Sequence, residues 1–383
     1  MDEAGFAGRG RYLEQHGWQN PYEIMLRHIG RVNAIAEKYG FQCHMWSDSL
    51  FHMRDVNVSD ALPEHMQLVY WDYYHDTEEF YDNKFREHKA LGREVWYAGA
   101  AKTHCSFAPG SRYSMKNNLA ALRSVVKNGI ENVLITMWGD NGGECSFFSA
   151  LPVLYAARRF ADGVYDEAQI KEEFFSLFGL SFDAFMALEL PNIVTSAYVQ
   201  KRNDNPAATL LFADPFMGIF DCEIENAGII DYAGYEKILS EDDKIGDFGY
   251  IFDELRKLCT VLKVKYDLSV RTRKAYQVSD KAELRRIADS DYPFILDALD
   301  AFYRSFRHLW FRENKPFGFE VQDARIGGLM LRLRHCRETL IAYCDGVIHE
   351  IPELAADVLP RDSKTSDRIL ADAYSKMISA STL

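Results

Sequence analysis

The chain has 383 residues, enough to form the hydrophobic cores of two or three domains. Of these residues 48% are hydrophobic and 26% are charged, which is ordinary for a globular protein. Its formal net charge of −13 argues against binding to nucleic acid or to an anionic membrane surface. It contains no apolar stretch of ~18 residues, no signal-peptide pattern and no paired cysteine spacing, so we expect a cytoplasmic protein without a transmembrane helix, a disulfide framework or a structural zinc site.

The first 165 residues alternate between short apolar runs typical of strands and amphipathic patterns typical of helices. Asn20 and Pro21 suit the N-cap and first turn of a helix, and Gly40 suits its end. The apolar run Val133–Ile135 is typical of a strand buried on both faces. The patterns predict strands at Phe41–Phe51, Gln67–His75, Glu94–Pro109 and from Asn132, and helices at Pro21–Tyr39, Thr77–Leu91, Ser114–Asn128 and Pro152–Phe160.

This alternation of strands and helices predicts parallel βαβ units in an α/β fold. A (β/α)8 barrel needs eight such units in roughly 250 residues, and its active site lies at the carboxyl ends of the strands. The sequence shows four units. Two architectures therefore remain open, a four-stranded open sheet or half of a barrel.

Beyond residue 165 the patterns predict helices and no strands. The apolar segment Thr209–Asp221, which contains Asp214 and Pro215, is predicted to be a loop. The predicted helices are Tyr165–Phe178, Phe182–Leu190, Tyr250–Leu268, Lys281–Phe306 and Ala324–Ile348. We therefore divide the chain into a partial barrel at residues 1–165 and an α-helical C-terminal domain at residues 166–383.

Tryptophan and aspartate recur together at the ends of three of the four predicted strands. The pairs are Trp46 with Asp48, Trp71 with Asp72, and Trp138 with Asp140. Tryptophan faces suit the C–H surfaces of sugars and acetyl methyl groups, and carboxylates accept hydrogen bonds from hydroxyl groups. The pattern therefore favours a carbohydrate-binding pocket over simple packing of tryptophans in a core.

Other kinds of site leave weaker signals. His44, His75 and His104 lie near predicted strand ends, so a metal-dependent α/β hydrolase is an alternative, although no H-x-H or H-E-x-x-H pattern is present. The chain has no G-x-S-x-G, P-loop or dinucleotide fingerprint, and Cys145 has no evident base beside it. The adjacent carboxylates Asp2 and Glu3 by themselves indicate little. We expect no cofactor and no metal.

A series of short segments, spread in the expected order over almost the whole chain, matches one family. The segments are Met1–Ala4, Gly10–Leu13, Met45–Asp48, Trp71–His75, Trp138–Glu144, Asp214–Pro215 and Asn314–Gly328. They resemble glycoside hydrolase family 20, the β-N-acetylhexosaminidases, and in particular its intracellular bacterial branch with a helical C-terminal domain. The resemblance implies the second half of a (β/α)8 TIM barrel, about four βα units, followed by an α-helical C-terminal domain.

The resemblance also implies a substrate-assisted retaining mechanism. Glu3 would be the general acid that protonates the glycosidic oxygen, and then the base that activates water. Asp2 would orient the 2-acetamido group, whose own carbonyl oxygen would attack the anomeric carbon and form an oxazolinium intermediate. This family is an exception to the two-carboxylate scheme of most glycosidases.

The remaining residues of the implied site surround the sugar. The aromatic walls around the acetamido group correspond to Trp46, Trp71 and Trp138. Tyr73, or else Tyr74, would hold the acetamido oxygen, and alternation along a strand places Tyr73 on the same side as Trp71. Asp140 would bind sugar hydroxyls, and Asp48 is a further candidate of the same kind.

The chain departs from the family pattern in two ways. It begins at the catalytic pair, so the first half of the barrel, with a His-x-Gly before the pair and an arginine on its first strand, is expected to be absent. Ala101–Thr103 stands where an aromatic residue is expected in this branch. Because a half-barrel would hold Asp2 and Glu3 poorly, we expect the chain alone to be inactive or nearly so.

Two functions follow from these observations. The first is an exo-acting β-N-acetylhexosaminidase that removes a terminal β-linked N-acetylglucosamine or N-acetylgalactosamine from a glycan or glycoconjugate. The second is a non-catalytic or degenerate protein that keeps the tryptophan pocket and binds carbohydrate. The sequence predicts no nucleic-acid or membrane partner, and it leaves the linkage, the natural glycan and the oligomeric state open, a homo-oligomer included.

Overall fold

The computed structural model describes residues 9–53, 57–194, 205–240 and 245–358. Within these residues the chain is a mixed α/β protein that is mostly helical, with one small parallel sheet and a helical C-terminal region. The predicted fold class is confirmed at this level. The arrangement is compatible with a partial barrel followed by a helical domain.

Four parallel strands form the sheet, in the order β1-β2-β3-β4. The strands are β1 at His44–Trp46, β2 at Gln67–Trp71, β3 at Val95–Ala100 and β4 at Val133–Thr136. All four were predicted, and the first three are shorter than expected. In β2 the reason is local, because Asp72 Oδ1 accepts hydrogen bonds from Tyr74 N and His75 N at 3.0 and 3.2 Å and so turns the chain out of the sheet.

The α-helices in the described residues before residue 166 include the four predicted ones, which agree to within a few residues, and two short ones that were not predicted. They are α1 at Arg9–His16, α2 at Pro21–Lys38, α3 at Val58–Ala61, α4 at Glu78–Lys89, α5 at Ser111–Asn128 and α6 at Leu151–Ala161. At the start of α2, Asn20 Oδ1 accepts a hydrogen bond from Tyr22 N at 3.0 Å, and Pro21 occupies the first turn. The predicted N-cap is therefore confirmed.

Strand β4 is more exposed than the sequence predicted. In the central strands, Leu68 and Tyr97 are completely buried. Among the described residues β4 pairs with β3 alone, and its Leu134 is 39% exposed. The prediction of a strand buried on both faces is therefore wrong for β4, because an apolar run records hydrophobicity but not how many neighbours the strand has.

Gly99 lets β3 pass close to α5. A Cβ at this position would lie 2.4 Å from Asn118 Oδ1. Asn118 is held in place, since its Nδ2 donates to Ala100 O and Ser114 O, both at 2.9 Å. The close approach of these two elements therefore depends on the absence of a side chain at residue 99.

Replacing Gly99 with alanine is expected to lower the free energy of unfolding by ~1–3 kcal/mol, because the new methyl group overlaps a buried side chain that cannot swing away. Urea denaturation measures the change. Gly30→Ala is the matched control: it lies inside α2, where an added Cβ meets nothing within 4 Å, and should stabilise the protein by up to ~1 kcal/mol. Equal effects of the two substitutions would contradict the close approach.

The chain beyond residue 166 is helical in the described residues. Its helices are α7 at Glu167–Phe178, α8 at Phe182–Ala187, α9 at Pro206–Phe212, α10 at Asp221–Ala227, α11 at Tyr232–Ile238, α12 at Gly249–Lys265, α13 at Leu268–Gln277, α14 at Lys281–Arg286, α15 at Tyr292–Glu313, α16 at Phe319–Cys344 and α17 at Pro352–Ala355. Among the described helices, no single one is long and apolar enough to cross a membrane. One pair, α7 with Phe182–Asn192, meets the length and composition criteria only when its two parts are taken together, and the pair is bent by 104°.

Two predictions in this region, one of a loop and one of a helix, need correction. The segment Thr209–Asp221 is a loop only in its middle, because α9 extends to Phe212 with all its residues buried. A helix that is buried all round has no amphipathic period, so the pattern missed it. The predicted helix Lys281–Phe306 is interrupted by a π-helical turn at Ile287–Asp291, just before Pro293 in the first turn of α15.

The chain divides into two compact units. The sheet unit contains the described residues up to Ala101 together with Ser114–Thr136 and Ala156–Tyr165. The helical unit contains Lys102–Tyr113, Met137–Tyr155 and the described residues from Asp166 onward. The segments that follow β3 and β4 thus group with the later helices. The predicted domains 1–165 and 166–383 stay a prediction.

Candidate functional site

The predicted catalytic pair, Asp2 and Glu3, lies outside the described residues, so its roles stay predictions. The other predicted site residues are divided between the two units. Trp46, Asp48, Trp71 and Tyr73 lie in the sheet unit, and Trp138 and Asp140 lie in the helical unit.

At the carboxyl end of β1, a buried serine fixes the turn that carries two predicted site residues. Ser47 is completely buried, and its Oγ lies 2.8 Å from His88 Nε2. His88 Nδ1 donates to Lys84 O at 2.7 Å, and burial lowers the pKa of His88 to about 4, so Nε2 is unprotonated and accepts from Ser47. On either side of this anchor, Trp46 is 42% exposed and Asp48 is half-buried.

At the carboxyl end of β2, three aromatic rings form one group. The ring centroid of Trp71 lies 5.2 Å from that of Tyr73 and 5.8 Å from that of Tyr74, and the two tyrosine rings are 4.8 Å apart. Asn117 Nδ2 donates to Tyr73 O and holds the backbone of the group. All three rings are partly exposed. Both tyrosine rings contact Trp71, so these contacts are equally compatible with Tyr73 and with Tyr74 as the partner of an acetamido oxygen.

The carboxylate of Asp72 fixes the turn that carries Tyr74 and His75. It is buried, and besides the two backbone N–H groups of the turn it accepts a hydrogen bond from Tyr81 OH at 3.1 Å. Its Oδ2 lies 2.8 Å from His75 Nδ1. At this strand end the aspartate of the Trp-Asp pattern therefore has a structural role. From the sequence alone, its carboxylate could not be distinguished from one that binds a sugar.

In the helical unit, Trp138 and Asp140 lie on an irregular loop. Trp138 is 38% exposed, and Asp140 is exposed as well. The following residues Asn141, Gly142 and Gly143 all have positive φ, at 60°, 122° and 61°. Glycine adopts these angles readily, and asparagine is among the few other residues that tolerate them. The sequence Asn-Gly-Gly therefore permits a sharp loop directly after the two predicted sugar-binding residues.

The carbonyl oxygens of every second residue in this loop accept hydrogen bonds from other segments of the helical unit. The hydrogen bonds run from Thr103 Oγ1 to Trp138 O at 3.0 Å, from Cys105 N to Asp140 O at 2.9 Å, and from Gln322 Nε2 to Gly142 O at 3.0 Å. Because the loop is not part of a helix or a sheet, these three hydrogen bonds to its backbone determine where its side chains lie.

The loop ends in a buried ion pair. Glu144 Oε1 lies 2.6 Å from Arg325 Nη1, and both side chains are at most 4% exposed. Burial raises the pKa of Glu144 to about 7, although the Arg325 guanidinium acts in the opposite direction. A Cβ on Gly142 would lie 2.5 Å from Arg325 Nη1 and 2.9 Å from Glu144 Oε1. Beyond the pair, Ser146 Oγ donates to Glu313 Oε1 at 2.6 Å.

Sequence reasoning assigned no role to the residues that support the site. Ser47 and His88 are 41 positions apart, so no spacing pattern connects them. Glu144 and Arg325 each fall inside a segment that matches the family, and this was the only signal that pointed to them. Their contact depends on helices packing against a loop far away in the chain.

The histidines and cysteines do not form an alternative site in the described part of the chain. His75 bonds to Asp72, and its ring stacks on Phe80 with centroids 3.5 Å apart. Among the described residues no three His, Cys, Asp or Glu side chains are grouped as a metal ion requires. All seven cysteines are free, and burial raises the pKa of Cys145 well above its usual value, which makes it a poor nucleophile.

A mixed α/β chain that carries tryptophan and tyrosine rings and carboxylates after its parallel strands fits the class of carbohydrate-active proteins. Residues 183–371 match the family model described as Glycoside Hydrolase 20C C-terminal domain. This match supports membership of glycoside hydrolase family 20 and, at the level of the family, a hexosaminidase-type glycosidase that acts on a glycan. No curated protein matches the chain.

Proposed function

We propose that the chain functions as an exo-acting β-N-acetylhexosaminidase that releases a terminal β-linked N-acetylglucosamine or N-acetylgalactosamine. The observation that carries the proposal is the match of residues 183–371 to the C-terminal domain of glycoside hydrolase family 20C. The partly exposed group of Trp71, Tyr73 and Tyr74 adds support, because such rings pack against sugar C–H faces and an acetyl methyl group.

In the proposed reaction the substrate supplies its own nucleophile. Asp2 accepts a hydrogen bond from the acetamido N–H and orients the group, while the acetamido oxygen attacks the anomeric carbon. Glu3 donates a proton to the glycosidic oxygen as the bond to the leaving group breaks, and an oxazolinium ion forms. Glu3 then takes a proton from water, which attacks the anomeric carbon and releases the sugar with its configuration retained.

The remaining residues bind the sugar in this proposal. Trp46, Trp71 and Trp138 are each assigned to contacts with the acetamido group, and Tyr73 to a hydrogen bond donated to the acetamido oxygen. The exposed carboxylate of Asp140 accepts hydrogen bonds from sugar hydroxyls, with Asp48 in a similar role. The contacts to the axial or equatorial hydroxyl decide between the two N-acetylhexosamines.

We also propose that the four described strands form half of a (β/α)8 barrel. Among the described residues β1 and β4 each pair on one side only, and Trp46 and Leu134 beside these edges are 42% and 39% exposed. A second set of strands would pair with both edges and cover this apolar surface. Those strands would come from polypeptide outside the described residues.

Hydrolysis assays test the proposal directly. Aryl N-acetyl-β-glucosaminide and aryl N-acetyl-β-galactosaminide are compared with the matched aryl β-glucoside, which lacks the acetamido group. Substrate-assisted catalysis predicts turnover of an acetamido sugar and none of the glucoside. The assay is made with the 383-residue chain expressed alone and with the protein purified from the cells that produce it. Equal turnover of the glucoside, or loss of activity with a chelator, would contradict the mechanism.

The same assay separates the remaining alternatives. Turnover by the protein from its native cells, but not by the chain expressed alone, would mean that further polypeptide completes the site. Tight binding of an oxazoline-like inhibitor by both preparations, with turnover by neither, would favour the non-catalytic carbohydrate-binding protein.

A further inference from the structure

The loop from Trp138 to Glu144 depends on the rest of the helical unit for its shape. Three successive residues from Asn141 have positive φ, and the loop forms no helix or strand. Trp138 and Asp140 are exposed on it, so their positions follow from the position of the backbone. A small shift of this backbone would move both side chains together.

Helix α16 makes two contacts with the loop from one face. Gln322 and Arg325 are three residues apart, so they project from the same side of the helix. Gln322 donates to Gly142 O at 3.0 Å, and Arg325 pairs with Glu144 at 2.6 Å. The guanidinium carbon of Arg325 also lies 5.0 Å from the ring centroid of Phe212. Both side chains of the ion pair are buried, so solvent screens their attraction much less than that of an exposed pair.

We propose that the Arg325–Glu144 ion pair positions Trp138 and Asp140 for sugar binding, so that a residue of the C-terminal helices contributes to substrate affinity without touching the sugar. This inference rests on the proposed function. The helical region is then a required part of the glycosidase site, and Arg325 is a positioning residue.

The same helix offers a matched comparison. Arg332 lies seven residues beyond Arg325 on α16 and is likewise paired with carboxylates, namely Asp214 at 2.7 Å and Glu353 at 2.8 Å. Its guanidinium carbon lies 5.5 Å from the ring centroid of Phe216. None of these contacts belongs to the loop that carries Trp138 and Asp140. Loss of either arginine therefore removes an ion pair and a ring contact, but only the loss of Arg325 should disturb the loop.

Kinetics of Arg325→Met and Arg332→Met test the proposal. For Arg325→Met we expect kcat/KM for the aryl N-acetylhexosaminide to fall ~10–100-fold, mainly through a higher KM, because misplaced sugar-binding groups weaken binding throughout the reaction. For the folded fraction of the Arg332→Met variant we expect the same KM as for the wild type. Arg325→Lys, which keeps the charge but not the planar fork, should restore part of the affinity.

A milder variant covers the case in which Arg325→Met does not fold, since removing one member of a buried ion pair strongly destabilises a protein. Gln322→Met removes a single donor to the loop at nearly constant volume. It is expected to raise KM by a smaller factor than Arg325→Met, with kcat unchanged.

Hydrogen–deuterium exchange gives a readout that does not depend on catalysis. Arg325→Met should speed amide exchange in residues 137–144, and Arg332→Met should instead speed it in residues 213–217. If the wild type neither binds nor hydrolyses an N-acetylhexosaminide, the proposed function fails, while the exchange data still test the positioning role. Unchanged exchange in residues 137–144 of Arg325→Met, or an equal rise in KM for Arg332→Met, would overturn the inference.

Discussion

Replacing Glu3 with glutamine is expected to lower the turnover of an aryl N-acetyl-β-hexosaminide by ~10²–10⁴-fold, the range that general acid–base catalysis contributes. Glutamine has nearly the shape of glutamate but cannot donate a proton to the glycosidic oxygen. The measurement is kcat in whichever preparation hydrolyses the wild-type substrate. The loss should be larger for a phenyl than for a nitrophenyl glycoside, because nitrophenolate leaves with little help from an acid.

The control for this substitution is Glu14→Gln. Glu14 is exposed on α1 and belongs to none of the proposed catalytic or sugar-binding groups, so turnover should be unchanged. A Glu3→Gln variant with wild-type kcat on both substrates would remove Glu3 from the mechanism. Equal losses for phenyl and nitrophenyl glycosides would assign it a role other than proton donation.

Replacing Arg273 with methionine is expected to lower the free energy of unfolding by ~3–5 kcal/mol, as is typical when one partner of a buried charged network is removed. Arg273 is buried, and its Nη1 donates to Leu354 O and Ala356 O at 3.0 and 3.1 Å. Its Nη2 donates to Phe216 O and to Glu353 O. The substitution would leave four carbonyl oxygens without this donor. Urea denaturation of the full chain measures the change.

Arg273 also places a buried positive charge beside Asp221. Its Nε lies 3.4 Å from Asp221 Oδ2, and Ser269 Oγ donates to Asp221 Oδ1 at 2.6 Å. Burial raises the pKa of Asp221, so loss of Arg273 would leave a carboxyl group that is harder still to ionise.

The control is Arg304→Met, because Arg304 has a 76% exposed side chain and one i,i+4 partner, Asp300 at 2.8 Å. An exposed pair of this kind contributes ~0.3–0.5 kcal/mol. If Arg273→Met were no more destabilising than Arg304→Met, the Arg273 network would not be what joins α17 to the turn after α9.

The sequence predicted best where short-range chemistry decides the structure. The start of α2 follows from Asn20 and Pro21, whose N-cap bond and fixed φ act within one turn. The alternation of apolar runs and amphipathic segments was enough to predict the four strands in order. The buried helix α9 and the break before α15 were missed, because burial and a π turn leave no period in the sequence.

The sugar-binding roles of the candidate site residues stay predictions, although the structure gives the local surroundings of the described ones. The repeated Trp-Asp pattern pointed to strand ends, and the structure brings Trp71 and Tyr73 into contact there. The pattern could not distinguish Asp72, whose carboxylate is used up by its own turn, from Asp140, which is exposed. Hydrogen bonds formed within a turn decide that difference, and they depend on backbone geometry that residue identity does not specify.

The sequence by itself determined the mixed α/β class of the chain and the positions of its four strands and of most of its long helices. Those properties follow from hydrophobic period, capping and side-chain chemistry, which act over a few residues. Only the tertiary structure decided that β4 is exposed, that His88 holds Ser47, and that Arg325 holds the loop of Asp140. The two contacts join residues that are far apart in the chain, and their energy exists only once the burial produced by folding has excluded water.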